Sequence, residues 1–274
     1  GPRWLQDARD KAAARFAALG FPTVREEEWR FTNVAPIASK EFRTAGPVAV
    51  SMDQIDSLPY GQSPFRLVLV NGRFSPELSR LHDLPHGVRA GSLAAAATGH
   101  ADVVARSYAQ AADYHSRAFV ALNTALAGDG AYLYIPDGAI VEAPIEIMYV
   151  TAGDATASEM VQTRALIVAG ERSQSRIVET WVSLRGGTYF TNAVTEVFAG
   201  PNAIVDHYKV QQEGLEAFHI ATMQINAQRS ANVSSHSFSL GGKLVRNDAG
   251  AVLDGQGAEI TLNGLYLADG DRLV

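Results

Sequence analysis

The sequence predicts a mainly β protein, a parallel β-helix preceded by an α/β cap, from three observations. First, a motif of a small residue, any residue and a β-branched aliphatic residue recurs at intervals of 28, 28 and 27 residues, beginning at Ser175, Ala203, Ala231 and Ala258. Second, a turn-forming stretch such as Gly200-Pro201-Asn202 precedes each copy, and a possible earlier copy begins at Ala139. Third, short runs of Val, Ile, Thr and aromatic residues dominate this half of the chain. A period of this length indicates stacked rungs, here of about 28 residues, that bury their apolar faces against one another.

The length of the repeat distinguishes a β-helix from other repeat architectures. Propeller blades run to about 40–45 residues, which is longer than the spacing seen here. Helical repeats are excluded because the segments are rich in β-branched residues and lack a 3.6-residue period. Two or three short strands per rung, with rungs stacked about 4.8 Å apart, fit the spacing.

The first part of the chain has a different composition and residue pattern. Apolar residues at three-to-four spacing predict a helix from Trp4 to Leu19, which Gly20 ends. The segment 65–70 is a predicted strand, and Asn71-Gly72 predicts a hairpin that returns through 73–75. The Ala-rich segments 92–101 and 103–126 predict a helix–loop–helix.

The residue composition changes after Gly128-Asp129-Gly130, where helix-forming residues become rare. We therefore predict a helical/α+β cap domain over 3–127 and a parallel β-helix domain over 128–274. Gly1 and Pro2 are set aside because they resemble the remnant of a cleaved expression tag. No C-terminal capping pattern is visible, so we expect the solenoid to be truncated at its C-terminal end, with an exposed edge that a homodimer of the fragment could cover.

Composition limits the possible functions. The chain has 274 residues and a formal net charge of −6, and its Lys and Arg residues are scattered. Nucleic-acid and anionic-membrane surfaces need clustered cations, so no nucleic-acid or membrane partner is expected. Cysteine is absent, which excludes disulfides, thiolate metal sites and cysteine nucleophiles within this sequence. With no signal segment or long apolar run, a cytoplasmic location is expected.

Catalytic signatures are missing from the sequence. Gly-x-Ser-x-Gly and His-Glu-x-x-His do not occur, and the seven histidines include no pair at metal-binding helical spacing. We therefore predict no catalytic, cofactor-binding or metal-ligating residue. The alternative function is a carbohydrate-active β-helix enzyme, a lyase or hydrolase, which needs paired carboxylates on the solenoid flank. Asp248, Asp254 and Glu259 are the nearby acidic residues, and a solvated turn explains them better.

One polar constellation follows from the repeat itself. Alternate residues of a strand share a face, so the position four residues after each small residue lies on the same side of the sheet. Those positions hold Glu179, His207 and Ser235, and Lys209 lies two residues beyond His207. The functional interpretation is a polar ladder that forms a passage inside the solenoid. The alternatives are a solvated ladder at a corner or a hydrogen-bonded core histidine.

Several stretches together resemble one known family along nearly the whole chain. They are Gly20-Phe21-Pro22-Thr23, Glu27 to Thr32, Val70 to Phe74, Leu122 to Leu126, Tyr189 to Glu196, His207 to Gln211, Phe218 to Ile220, and Leu240 to Asp248. In this order they resemble the SufD family of the SUF iron–sulfur cluster assembly system.

The resemblance implies a right-handed parallel β-helix and a non-enzymatic scaffold. It implies pairing with SufB and, through a C-terminal helical region with no counterpart in these residues, docking of the ATPase SufC. ATP would then bind to SufC, and no cofactor is expected on this chain. None of the matching motifs supplies a catalytic or cluster-ligating residue.

Overall fold

A computed structural model describes residues 1–270 and 272–274. Its helices are α1 (Arg3–Leu19), α2 (Ala35–Ala38), α3 (Met52–Asp56), α4 (Leu93–Gly99), α5 (Ala101–Ser107) and α6 (Ala118–Leu126). Its strands are β1 (Arg43–Thr44), β2 (Phe65–Val70), β3 (Arg73–Phe74), β4 (Arg89–Ser92), β5 (Ala131–Ile135), β6 (Ile145–Thr151), β7 (Glu159–Ala169), β8 (Gln174–Ser183), β9 (Tyr189–Ala199), β10 (Ile204–Gln212), β11 (Phe218–Gln228), β12 (Asn232–Ser239), β13 (Leu244–Asp254) and β14 (Glu259–Tyr266).

Two seven-stranded sheets face each other and form the solenoid. Sheet A has the order β13-β11-β9-β7-β5-β4, with β1 also paired to β7, and sheet B has the order β14-β12-β10-β8-β6-β2-β3. From β5 onward the odd-numbered strands lie in sheet A and the even-numbered strands in sheet B, so the chain changes sheet after every strand. All neighbouring strands in this part are parallel, and the coil makes about five turns. The predicted parallel β-helix is confirmed.

The turns that lead from sheet A to sheet B stack on one another, and each contains a left-handed residue. These residues are Gly138, Arg172, Asn202, Ser230 and Gly257, whose φ angles lie between 55° and 75°. Backbone hydrogen bonds join neighbouring turns, for example from Arg172 N–H to the Pro201 carbonyl at 2.9 Å. A small residue follows the left-handed position at every turn, and it packs into the interior behind the turn.

This stacking corrects one copy of the predicted repeat. Val205 pairs with Val233, and Val233 pairs in turn with Ile260, as the spacing predicted. However, Val205 pairs on its other side with Ser175, so the residue equivalent to Ala203 is Ser173. The prediction that the copy begins at Ser175 was wrong by two residues. Because side chains alternate with a period of two, the shift does not change which residues face inward.

The front of the chain forms the predicted first helix and hairpin, whereas the helix predicted over 103–126 was wrong in extent, because the segment divides into α5 and α6 with residues 108–117 between them. Helix α1 ends at Gly20, whose N–H donates to the Phe16 carbonyl at 2.8 Å. Strands β2 and β3 pair in antiparallel fashion around Asn71-Gly72, which confirms the hairpin. Strand β2 also pairs in parallel with β6, so sheet B extends across the predicted 127/128 boundary. That boundary stays a prediction.

The cap packs on the outer face of sheet A. Phe119 of α6 contacts the rings of Phe21, Trp29 and Phe190, and it forms part of an apolar layer between the helices and strands β9, β11 and β13. A second apolar cluster fills the space between the two sheets and contains Ile177, Val205 and Val233. Within the described residues, no helix has the length and apolar character required to cross a bilayer.

Candidate functional site

Polar side chains occupy part of the space between the sheets. On the inner face of sheet B, strand pairing places Ile177, His207, Ser235 and Leu262 in one row, and Ile147, Glu179, Lys209 and Ser237 in the next. Glu179 is therefore the strand neighbour of Lys209, and the expectation that it is equivalent to His207 was wrong because of the two-residue shift at Ser175. The four predicted residues nevertheless lie in two adjacent inward-facing rows.

Glu179, His207 and Ser235 form one hydrogen-bonded series. The Oε2 atom of Glu179 lies 2.9 Å from Nε2 of His207, and Nδ1 of His207 lies 2.9 Å from Oγ of Ser235. Glu179 also accepts hydrogen bonds from the hydroxyls of Tyr149, at 2.8 Å, and Thr195, at 2.9 Å. The structure thus brings together the three residues of the predicted ladder along a diagonal, and all of them are buried.

The environment of Glu179 favours its carboxylate form. Burial by itself would raise the pKa of Glu179. The hydrogen bonds from His207, Tyr149 and Thr195, together with the charge of His207, outweigh burial and hold the pKa of Glu179 below its ordinary value. The same carboxylate and the burial of the ring raise the pKa of Tyr149, so its hydroxyl remains a donor.

Lys209, His219 and Glu213 form a second series beside the first. Nζ of Lys209 donates to Nε2 of His219 at 2.9 Å and to Oδ1 of Asn247 at 2.5 Å. Nδ1 of His219 lies 2.6 Å from Oε2 of Glu213. Because Nε2 accepts from an ammonium group, the imidazole of His219 is neutral and its Nδ1–H donates to Glu213.

The pKa values of this series are shifted by burial and by neighbouring charges. Burial lowers the pKa of Lys209 to about 8, although Glu179 and Glu213 act in the opposite direction. Burial and then the Lys209 charge lower the pKa of His219. Burial would raise the pKa of Glu213, but its electrostatic attraction to the His219 ring and hydrogen bonds from His219, Thr191 and Gln211 keep it below its ordinary value.

Trp181 connects the two series. Its ring stacks on Tyr149 with the ring centres 4.6 Å apart, and the Lys209 ammonium lies 4.7 Å from the centre of the indole. Its Nε1–H donates to Oγ1 of Thr163 at 3.2 Å. The indole therefore contacts both the phenol that binds Glu179 and the ammonium of Lys209.

Sequence reasoning missed the partners that sheet A supplies. Thr195 and His219 lie on β9 and β11, and Asn247 lies on β13, whereas the predicted ladder used sheet B alone. His219 appeared only within a family motif. The sequence signal that could have found them is the alternation of inward-facing and outward-facing residues along these strands. His219, Thr191 and Val245 are neighbours in one inward-facing row of sheet A.

The arrangement can hold charge and move protons, but it is poorly suited to hydrolysis. A serine–histidine–glutamate series can activate a hydroxyl where a substrate reaches it. Ser235 is only 6% exposed, and the cavity next to it has a volume of about 60 Å³. Among the residues that the structure describes, no group of three or more His, Asp or Glu side chains could hold a metal ion.

A different buried ion pair lies between the cap and the outer face of sheet A. Nη2 of Arg164 lies 2.5 Å from Oε2 of Glu196, and both side chains are fully buried. Glu196 also accepts the backbone N–H groups of Ala109, Ala111 and Ala112 at 2.9–3.0 Å. This pair fixes the loop between α5 and α6 on the solenoid.

The carboxylates required by a carbohydrate-active enzyme do not form a paired site. Asp248 is engaged by Arg246, with 2.8 Å between Oδ1 and Nη2. Asp254 and Glu259 are exposed near a turn, and Glu259 accepts a hydrogen bond from Asn232 at 3.3 Å. The alternative function is not favoured.

Comparison with known proteins identifies relatives along almost the full sequence. The family description "SufBD protein N-terminal region" matches residues 2–147, and "SUF system FeS cluster assembly, SufBD core domain" matches residues 149–274. An iron–sulfur cluster assembly SufBD family protein of Synechocystis is 32% identical over 254 residues, which cover 89% of this chain and 55% of the relative.

Two proteins named iron–sulfur cluster assembly protein SufD are also similar. The one from Escherichia coli is 27% identical and covers 90% of this chain and 56% of its own length. The one from Bacillus subtilis is 30% identical, with coverages of 75% and 48%. The chain thus spans about half the length of the curated relatives it matches. The two family matches together cover the N-terminal region and the β-helix, and the β-helix has the predicted rungs. The chain therefore belongs to the SufBD family.

Proposed function

We propose that this chain is a non-catalytic scaffold component of a SUF-type iron–sulfur cluster assembly complex, that it pairs with SufB, and that it supports the ATPase SufC. In this proposal ATP binds to SufC, this chain carries no cofactor, and the complex works in the cytoplasm. The observation that carries the proposal is family membership along both the cap and the solenoid.

Co-expression tests the scaffold proposal. The complete product of the gene encoding this chain should co-purify with SufB and SufC of the same organism and should increase the ATP hydrolysis of SufC. Failure of the wild-type protein to co-purify with either partner would contradict the proposal.

We further infer that the buried polar ladder contributes to cluster formation. The ladder residues of this proposal are Glu179, His207, Lys209 and Ser235. His207→Ala in the complete protein should reduce the yield of assembled cluster while co-purification with SufB is retained. His236→Ala is the matched control, because His236 lies on the outer face of the neighbouring strand, stacked on Tyr208. Equal cluster yields from both variants and the wild type would remove this role.

A further inference from the structure

Both polar series end at one small cavity under the last two turns. The cavity has a volume of about 60 Å³, and its polar lining residues are Lys209, Ser235, Ser237, Asn247, Asp248 and Asn263, with Met223 and Leu262 among its apolar neighbours. A single water molecule requires a cavity volume of roughly 10–15 Å³, so this cavity has room for a small ion with water. Ser235 ends the Glu179–His207 series here, and Lys209 ends the Glu213–His219 series.

The polar lining is rich in hydrogen-bond donors. Two protons of the Lys209 ammonium are used by His219 and Asn247, and the third has only the Trp181 ring nearby. The Oγ atom of Ser237 is buried and has no hydrogen-bond partner among the described residues. A buried hydroxyl without a partner is unfavourable, and it indicates a missing acceptor.

Two of the acceptor side chains that border the cavity are already engaged. Oδ1 of Asn247 accepts from Lys209, and the carboxylate of Asp248 is held by Arg246 through contacts of 2.8 and 3.1 Å. The hydroxyl of Ser235 has Met223 Sδ, at 3.5 Å, as its second neighbour, and sulfur is a weak acceptor. The lining therefore offers one ammonium and two hydroxyls without an uncommitted carboxylate.

We propose that this cavity binds a small monovalent anion of halide size, which accepts hydrogen bonds from the Lys209 ammonium and from the Ser235 and Ser237 hydroxyls. An anion satisfies the hydroxyl of Ser237 and is attracted by the ammonium, which repels cations. This site shares Lys209 and Ser235 with the polar ladder of the proposed function, but anion binding needs neither a partner protein nor a cluster, so the two proposals can fail separately.

The site should release its anion at high pH. The titratable groups that face Lys209 are Glu179 from β8, Glu213 from the segment after β10, and His219 from β11, whereas Asp248 and Arg246 of β13 pair on the outer face of sheet A, where Arg246 lies over Trp29. Burial lowers the pKa of Lys209 to about 8, so the ammonium predominates at neutral pH and is lost as the pH rises above that value. Anion affinity should fall over the same range.

Chloride NMR line broadening on the whole chain tests the proposal. At about pH 7 we expect broadening that saturates with added chloride and that competing bromide reverses, and at about pH 10 we expect it to disappear. Lys209→Gln should abolish the saturable component. Ser237→Ala should weaken affinity about ten-fold, since it removes one hydrogen bond to a charged group.

Ser175→Ala is the matched control, because Oγ of Ser175 also lacks a hydrogen-bond partner among the described residues but does not line the cavity. It should bind chloride like the wild type. If Lys209→Gln does not fold, as judged by circular dichroism, Ser237→Ala and the pH series still decide the question. Absence of saturable broadening in the wild type, or broadening that neither Ser237→Ala nor high pH changes, would show that the cavity holds water only.

Discussion

The protein buries charged groups in two places that differ in the chemistry of their partners. Under the cap, Glu196 is held by the guanidinium of Arg164 and by three backbone N–H groups. Inside the solenoid, the carboxylates Glu179 and Glu213 face two imidazoles and one lysine. A guanidinium and an amide do not change protonation state near neutral pH, whereas an imidazole and a buried amine do.

The two sites should therefore differ in how strongly their interactions depend on pH. The contacts of Glu196 tie the α5–α6 loop to β9, and their strength should be nearly constant over the working pH range. Burial and neighbouring groups have moved the pKa values of four interior residues, so their charge depends on the pH and on any ligand that enters the solenoid. These residues are Glu179, Lys209, Glu213 and His219. We therefore expect the cap pair to determine stability and the interior series to determine pH dependence.

The largest expected effect is the loss of the cap pair. Glu196→Ala leaves Arg164 buried without its partner and removes the acceptor for three backbone donors, so the free energy of unfolding should fall by about 3–5 kcal/mol. Urea denaturation measures the change. Glu216→Ala is the matched control, because its pair with Lys243 is exposed and should contribute little. A loss for Glu196→Ala as small as that of the control would show that the loop is held by other contacts.

The second prediction concerns stability in alkaline solution. Because the pKa of Lys209 is about 8 in the folded protein and 10.5 in the reference state, the unfolded chain binds more protons between these values. The free energy of unfolding should therefore rise with pH in this window, by at most about 1.4 kcal/mol per pH unit. Lys209→Met should remove that slope, whereas Lys243→Met, at an exposed site, should retain it. Equal slopes in wild type and Lys209→Met would contradict the lowered pKa.

The third prediction concerns mild acid. Burial and Lys209 lower the pKa of His219 below 6.5, so below about pH 6.5 the unfolded chain takes up a proton that the folded protein does not. The wild type should lose stability as the pH falls through this range. His219→Gln keeps an acceptor and a donor but cannot titrate, so its deficit relative to the wild type should shrink with falling pH. A deficit that stays constant from about pH 7 to pH 5 would indicate a merely structural role.

Much of the solenoid could be predicted because equivalent positions in successive rungs carry similar residue types. The left-handed turn positions and the small residues after them recur at each rung, and alternation then fixes which side chains face inward. The register of one rung was harder, because a serine at 173 and another at 175 both satisfy the small-residue pattern. Aligning Gly170 with Gly200 gives the observed register. At Gly170 a Cβ atom would lie 2.4 Å from Oδ1 of Asp137 in the neighbouring turn.

The partners across the solenoid could not be predicted from spacing. Glu213 lies in the segment after β10, and His219 lies on the strand of the opposite sheet, so no ladder rule relates them to Lys209. The Arg164–Glu196 pair was missed for a different reason. Alternation places both side chains on the outer face of sheet A, and only the packing of the cap over that face makes them buried.

The smallest expected effect compares single hydrogen bonds in the two places. Tyr149→Phe removes the donor 2.8 Å from Oε1 of Glu179, and Thr124→Val removes the acceptor 2.9 Å from Nη1 of Arg164. Each should lower the free energy of unfolding by about 1–3 kcal/mol near pH 7, because each deletes one bond to a buried charge. Urea denaturation from about pH 7 down to about pH 3 then separates them.

The pKa of Glu179 is lowered in the folded protein, so the stability it contributes is present above its ordinary pKa and is lost as the pH falls through the folded value. The bond from Tyr149 contributes only while Glu179 is ionised, and the deficit of Tyr149→Phe should therefore shrink in acid. Arg164 keeps its charge throughout, so the deficit of Thr124→Val should not change. If the two deficits in the free energy of unfolding change in parallel with pH, the interior carboxylate responds to pH no differently from the cap pair. The proposed difference between the two buried sites would then be wrong.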